Sequence, residues 1–279
     1  MHEPLPARMT AKAQSFVPLE EVVDLARYPL DEPEVLERTV CRDVRASLRE
    51  DGCAVIEGFV DPSRLEALGE EACRLAPAAH RTRASMTCYG HAPDPEMPEN
   101  HPLGRPLARQ NAFVPADAIP QDAMLRAIYH DPRVKRFLAM CLGVEEIHEF
   151  DDPYAALVIN VLEPGATHAW HFDSNEFAVS LMAQAPEAGG AFEYSPWLRR
   201  PDDERYEAVS AVLDGEREKV RRLELKPGDL QLFHGRYALH RVSPVEGKRD
   251  RLMAIFAYAD RPGLKGAREK SRLLFGRDN

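Results

Sequence analysis

The feature that most constrains the fold is a change of texture after Gly143, where short β-rich runs alternate with turn residues. The runs are YAALVINVL (154–162), FAVSLMAQ (177–184), AFEYS (191–195), RLEL (222–225), DLQLF (229–233), ALHRV (238–242) and RLMAIFAYA (251–259). Pro164-Gly165, Gly189-Gly190 and Pro227-Gly228 punctuate them. Many short strands at close spacing predict a β-sandwich or jelly roll. The charged stretch from Pro201 to Arg222 reads as a helix inserted between strands.

The first half has a different rhythm. From Pro33 to about Glu50 the residues Val35, Leu36, Val40, Val44 and Leu48 recur at helical spacing, and Asp51-Gly52 ends them. CAVIEGFV (Cys53 to Val60) reads as a buried strand, and Asp61-Pro62 then caps a helix through Leu65, Leu68 and Cys73. The stretch from about Ala76 to Pro120 is an irregular excursion of the kind that serves as a functional loop. A helix is expected from Gln121 to Leu142 on the pattern Leu125, Ile128, Val134, Phe137 and Leu138. Residues 1–16 lack periodicity and read as a flexible arm. The expectation is a single α+β domain over 17–279, helical to about 143, with a jelly-roll core over about 144–260.

A net charge of -10 argues against a nucleic-acid partner, since phosphate binding needs clustered Lys and Arg. The 5 cysteines are an odd number without a C-x-x-C pair, which suits a reducing cytoplasm. The N-terminal residues lack the apolar region of an export signal, and no apolar run approaches the roughly 20 residues of a membrane span. A soluble, cytoplasmic protein without a membrane partner is expected. Oligomeric state is left open, a homodimer included.

Chemistry concentrates in two places. In THAWHFDSNEF, His171 and Asp173 lie two apart, which on a strand puts both side chains on one face. YALHRVSPV supplies His240, which intervening strands can fold back to meet them. Two histidines and a carboxylate on one face of an octahedron leave open positions, as non-haem Fe(II) oxygenases require. The His-x-Asp alone is weak, because a chain with 10 histidines and 46 acidic residues shows roughly one by chance. Arg251, opening an apolar strand, adds a fork that can hold a carboxylate. Arg249 is its competitor but follows Gly247-Lys248 in an apparent turn. Arg241 reads as an outward strand residue, His148 and His234 as satisfied or surface histidines, and Trp170 and Phe172 as core.

These motifs, with DGCAVIEGFVDPSRLEAL, GGAFEY and the block from Tyr154 to Asp260, make the chain resemble the Fe(II)/2-oxoglutarate-dependent oxygenase superfamily. The resemblance implies a double-stranded β-helix core, jelly-roll and cupin-like, with N-terminal helices packed on it. It implies Fe(II) on His171, Asp173 and His240, with 2-oxoglutarate and O2 as co-substrates and Arg251 on the distal carboxylate of 2-oxoglutarate. THAWHFDSNEFAVSL and GRYALHRVSPVEG further resemble the subgroup of free-amino-acid halogenases and hydroxylases. There the halogenases replace the carboxylate ligand by glycine to admit chloride. Asp173 therefore implies hydroxylation of a small substrate, a free amino acid or a derivative, with desaturation or cyclisation by the same site as the alternative.

The same likeness assigns the substrate α-carboxylate to His168 and Arg109, with Arg105 as the other candidate arginine. Halogenases that act on lysine carry an acid directly after the glycine, where this chain has Ser174, which speaks against lysine. Asn175 and Glu176 are candidates for reading a polar or cationic substrate tail. The segments 76–120 and 201–222 are the expected lids. Rival readings are a cupin-type metalloenzyme without 2-oxoglutarate and a metal-binding sensor without turnover.

Overall fold

The structure, a computed structural model, describes residues 17–277. The expected arm, 1–16, lies outside the described residues. The first helical stretch runs from 33 to 51 in three pieces, Pro33–Leu36, a π turn Glu37–Cys41 and Arg42–Asp51. Leu36, Cys41, Val44 and Leu48 form its buried stripe, and Gly52, at φ +65°, closes it by donating to the Leu48 carbonyl.

Eleven strands form the two main sheets: β1 (Cys53–Ile56), β2 (His80–Arg81), β3 (Ala112–Val114), β4 (Leu157–Leu162), β5 (His168–His171), β6 (Ala178–Gln184), β7 (Phe192–Ser195), β8 (Arg221–Leu223), β9 (Leu230–Phe233), β10 (Leu239–Val242) and β11 (Arg251–Phe256). The larger sheet has the order β1-β9-β6-β11-β4-β3-β2 and the smaller β8-β7-β10-β5, antiparallel throughout. The expected α+β fold with a jelly-roll core is what forms. The core is not confined to 144–260, however, because β1, β2 and β3 come from the first half of the chain.

Strand alternation decides what each face of the larger sheet carries. Leu157, Ile159 and Val161 of β4, Val179, Leu181 and Ala183 of β6, Leu230 and Leu232 of β9, and Leu252, Ala254 and Phe256 of β11 join one core with the N-terminal helices. The residues between them face the smaller sheet. Cys53, Leu162 and Phe233 meet Phe192, Tyr194 and Val242 there. Beside this apolar seam the same face presents Asn160, Ser180, Gln231 and Arg251 to a cavity.

Three expectations need correction. The strand after Gly52 stops at Ile56, because Gly58, at φ +60°, turns the chain and donates its N–H to the Asp229 carboxylate. The helix expected over 121–142 is two helices, Met124–His130 and Pro132–Leu142. Pro132 lacks an N–H, and Asp131 caps the second helix by accepting from the Arg133 N–H at 2.7 Å. A helix at Arg268–Phe275 was not expected at all.

That last helix is tied down by the buried Asp152, whose carboxylate accepts from the N–H groups of Tyr154, Ala155 and Gly266, each at 2.9 Å. Thr82 donates to the Leu273 carbonyl, and Phe275 packs on Phe113 and Val158. Asp152→Ala should destabilise the fold by about 2–3 kcal/mol, since it strands buried N–H donors. Urea unfolding followed by fluorescence reads this directly. The 5 cysteines are unbridged, and among the described residues no helix is long and apolar enough to cross a membrane.

Candidate active site

His171 is the last residue of β5 and His240 lies in β10, and the two are direct cross-strand partners. This pairing closes the long sequence gap between them. Each imidazole is oriented by its own strand: Nδ1 of His171 lies 2.8 Å from the Ala169 carbonyl, and Nδ1 of His240 lies 3.0 Å from the Ala238 carbonyl. A carbonyl there requires N–H at Nδ1, which leaves Nε2 of both rings as a free donor pair.

Asp173 reaches the pair by a different route. The chain leaves the strand after His171, the Phe172 N–H is held by the Cys88 carbonyl, and the Asp173 N–H by the Gly235 carbonyl. Oδ1 of Asp173 then lies 3.7 Å from His171 Nε2 and 3.6 Å from His240 Nε2. One ligand atom from each of the three side chains falls within 4.8 Å of the others. A Cβ on Gly235 would sit 1.9 Å from Asp173 Oδ2, so only glycine lets the carboxylate lie here. Gly235→Ala should weaken metal binding roughly 10- to 100-fold while the chain stays folded. A metal titration beside a melting curve separates the two effects.

Burial pushes His171 well below its usual range, helped by the charges of His168, His240 and Arg109. His240 is lowered by burial and partly restored by Asp173. Neutral imidazoles beside a carboxylate are the form that binds a divalent cation.

Arg251 opens β11 and is 2% exposed. Its Nε donates to the Gly190 carbonyl at 2.9 Å, and Gly190, at φ +60°, would bring any Cβ to 3.1 Å of the Arg251 Cδ. Among the described residues no carboxylate pairs with it, and burial alone lowers its guanidinium to about 10. Arg249 is exposed in the preceding turn.

The three ligand candidates and Arg251 line one cavity of about 460 Å³. His168 lies in it too, its ring stacked on His171 with centroids 4.0 Å apart and its Nε2 3.3 Å from Asn111 Nδ2. Arg109 points into the same space, whereas Arg105 is engaged outside it with Asp214 and the Leu213 carbonyl. Asn175 borders the cavity. Glu176 does not: it is exposed and lies near His234.

The first expected lid, 76–120, supplies Met86, Tyr89, Arg109 and Asn111 to the wall. The second contributes nothing there, because its helix, Tyr206–Leu213, packs through Val209 and Val212 on Trp170, Phe172 and Leu239. Its place is taken by the helix Arg268–Phe275, with Lys270, Leu273 and Leu274. Sequence reasoning missed Tyr89, Asn111 and Lys270. Asn111 had a signal, two residues beyond Arg109, while nothing around Lys270 says that its helix folds back over the sheet.

Five buried side-chain polar atoms lack a partner among the described residues, and three of them, Tyr89 Oη, Arg109 Nε and Asn111 Oδ1, belong to residues of this cavity wall. Buried polar atoms are normally paired, so their concentration here marks a place built for a ligand.

The sequence pattern of the halogenase D family matches residues 36–272. The chain belongs to that family. Among solved structures it is similar to a 2OG-Fe(II) oxygenase family oxidoreductase from Burkholderia pseudomallei, at 16% identity and a TM-score of 0.52, covering 80% of this chain and 92% of that one. The epimerase SnoN from nogalamycin biosynthesis, solved with Fe3+, alpha ketoglutarate and nogalamycin RO, is 18% identical with a TM-score of 0.54, covering 82% and 84%. A prolyl hydroxylase from Trichoplax adhaerens, solved with a hypoxia inducible factor peptide fragment, is 15% identical with a TM-score of 0.53, covering 84% and 93%. No curated protein matches the sequence. At these identities the similarity shows a shared fold, that of the 2OG-Fe(II) oxygenases.

Proposed function

We propose that this halogenase D family member is an Fe(II)- and 2-oxoglutarate-dependent oxygenase that hydroxylates an unactivated C–H bond of a small substrate, a free amino acid or a derivative, releasing succinate and CO2. The observation that carries this reading is the pairing, in one cavity, of a His-Asp-His donor set with a buried arginine that has no carboxylate of its own. His171, Asp173 and His240 would hold Fe(II), and Arg251 the far carboxylate of 2-oxoglutarate. Bound together with O2, these co-substrates supply the oxidant that attacks the C–H bond.

The chain's own residues do the positioning. The carbonyls of Ala169 and Ala238 fix the two imidazoles, and Gly235 makes room for the carboxylate. His168 and Arg109 face the substrate carboxylate, and Asn111 Oδ1, buried without a donor, suits an α-ammonium. Placing the target hydrogen matters, since a displacement of about 1 Å changes rates by orders of magnitude.

Although the family is named for halogenation, the Asp173 carboxylate fills the position that a halide ligand needs, which supports hydroxylation. The test is anaerobic reconstitution with Fe(II) and 2-oxoglutarate, followed by O2 and a panel of free amino acids, with mass detection of products. A gain of one oxygen atom with matching succinate is expected. Loss of two hydrogens instead would indicate desaturation or cyclisation. Product without succinate would point to a cupin-type enzyme, and tight binding without O2 consumption to a sensor.

A further inference from the structure

The substrate end of the cavity carries more positive charge than its anions offset. Arg109 lines it with Nε buried and unpaired, and Lys270 lines it from the helix Arg268–Phe275. The Lys270 Nζ donates to the Ser174 hydroxyl at 3.0 Å. Among the described residues neither cation has a carboxylate within ion-pair distance. Glu269 also borders the cavity and is exposed, as Lys270 is, but it pairs with neither cation. Lys270 is an exposed residue that also lines the cavity, and its ammonium is drawn below the usual range. Burial is the main cause, opposed by Asp173 and reinforced by Arg109.

A charge balance, resting on the oxygenase reading above, shows what is missing. Fe(II) with the Asp173 carboxylate, and 2-oxoglutarate with Arg251, together sum to zero. Arg109, with its buried and unpaired Nε, and Lys270 then remain as two like charges lining one cavity, an arrangement that favours a ligand bringing counter-charge. A zwitterionic amino acid with a neutral side chain brings one carboxylate and one ammonium, so it leaves both excess charges in place. A lysine-like substrate makes the imbalance worse.

We propose that the substrate is acidic: a small amino acid, or a derivative of it, with two anionic groups, one on Arg109 and the other on Lys270, and its ammonium on Asn111 Oδ1. This reverses the sequence-based expectation that Asn175 and Glu176 read a polar or cationic tail. Glu176 lies outside the cavity, and the side chain that reaches in beside Ser174 is a cation.

The test is calorimetry on the full chain, held anaerobically with Fe(II) and 2-oxoglutarate, titrated with L-aspartate, L-glutamate, their N-acetyl derivatives, and the corresponding amides. At least one acid should bind roughly 10- to 100-fold more tightly than its amide, the scale of one charge-assisted contact. Lys270→Met should erase that ratio without changing 2-oxoglutarate affinity, and Lys270→Arg should restore it. Equal binding of acids and amides, or a ratio that survives Lys270→Met, would overturn the proposal while leaving the oxygenase reading intact. Failure of 2-oxoglutarate itself to bind would overturn both.

Discussion

Asp173→Ala is expected to abolish substrate hydroxylation and to weaken Fe(II) binding at least ~100-fold, beyond the loss seen when a supporting residue is removed. Two neutral imidazoles would remain, each still held at Nδ1 by its strand carbonyl, so the histidine geometry should survive. What disappears is the only acidic ligand atom among the three, Oδ1 at 3.6 and 3.7 Å from the two Nε2 atoms. The fold should be little affected, because Asp173 is partly exposed and its backbone N–H remains bonded to Gly235. Fe(II) titration and succinate release in the same preparation are the measurements. Unchanged turnover would remove Asp173 from the metal site.

The second large effect belongs to Arg251. Arg251→Ala should raise the 2-oxoglutarate requirement by ~100-fold, within the range for truncating one partner of a buried charge pair. Fe(II) affinity should stay the same, which separates this variant from Asp173→Ala. The two states of the protein should respond in opposite directions. Without 2-oxoglutarate, Arg251 is a buried cation with no counter-charge, so its removal should leave the melting temperature unchanged or slightly raised. With 2-oxoglutarate, the stabilisation that the wild-type chain gains on binding should vanish. Arg249→Ala, in the exposed turn, should change neither; an unaltered 2-oxoglutarate affinity in Arg251→Ala would move the role to Arg249.

The strands were legible because their apolar residues alternate against turn dipeptides, and the sheet uses both signals. Gly190 shows how closely the two are joined, since the turn glycine that ends one run also supplies the carbonyl that holds Arg251. The donor set was legible as residue types in order, but not as geometry. Strand alternation alone does not place Asp173, which lies beyond the end of β5 and is positioned by Gly235, sixty-odd residues away along the chain. The helix break at Asp131-Pro132 had the same signal as Asp61-Pro62 and was hidden by a continuous apolar pattern across it. The substrate wall was the least legible part. Tyr89 and Asn111 come from the irregular stretch 76–120 and Lys270 from the last helix, and no local pattern marks them as one set until the fold gathers them around one space.

The helix Arg268–Phe275 divides responsibility within the molecule. The oxidising end is fixed by paired strands, where a shift of one residue would turn His171 and His240 away from each other. The opposite wall leans on a short helix whose attachment rests on Asp152, Thr82 and a few apolar side chains. Substitutions among the eight residues of this helix can therefore reshape one wall of the cavity without touching a hydrogen bond of the paired strands that hold His171 and His240.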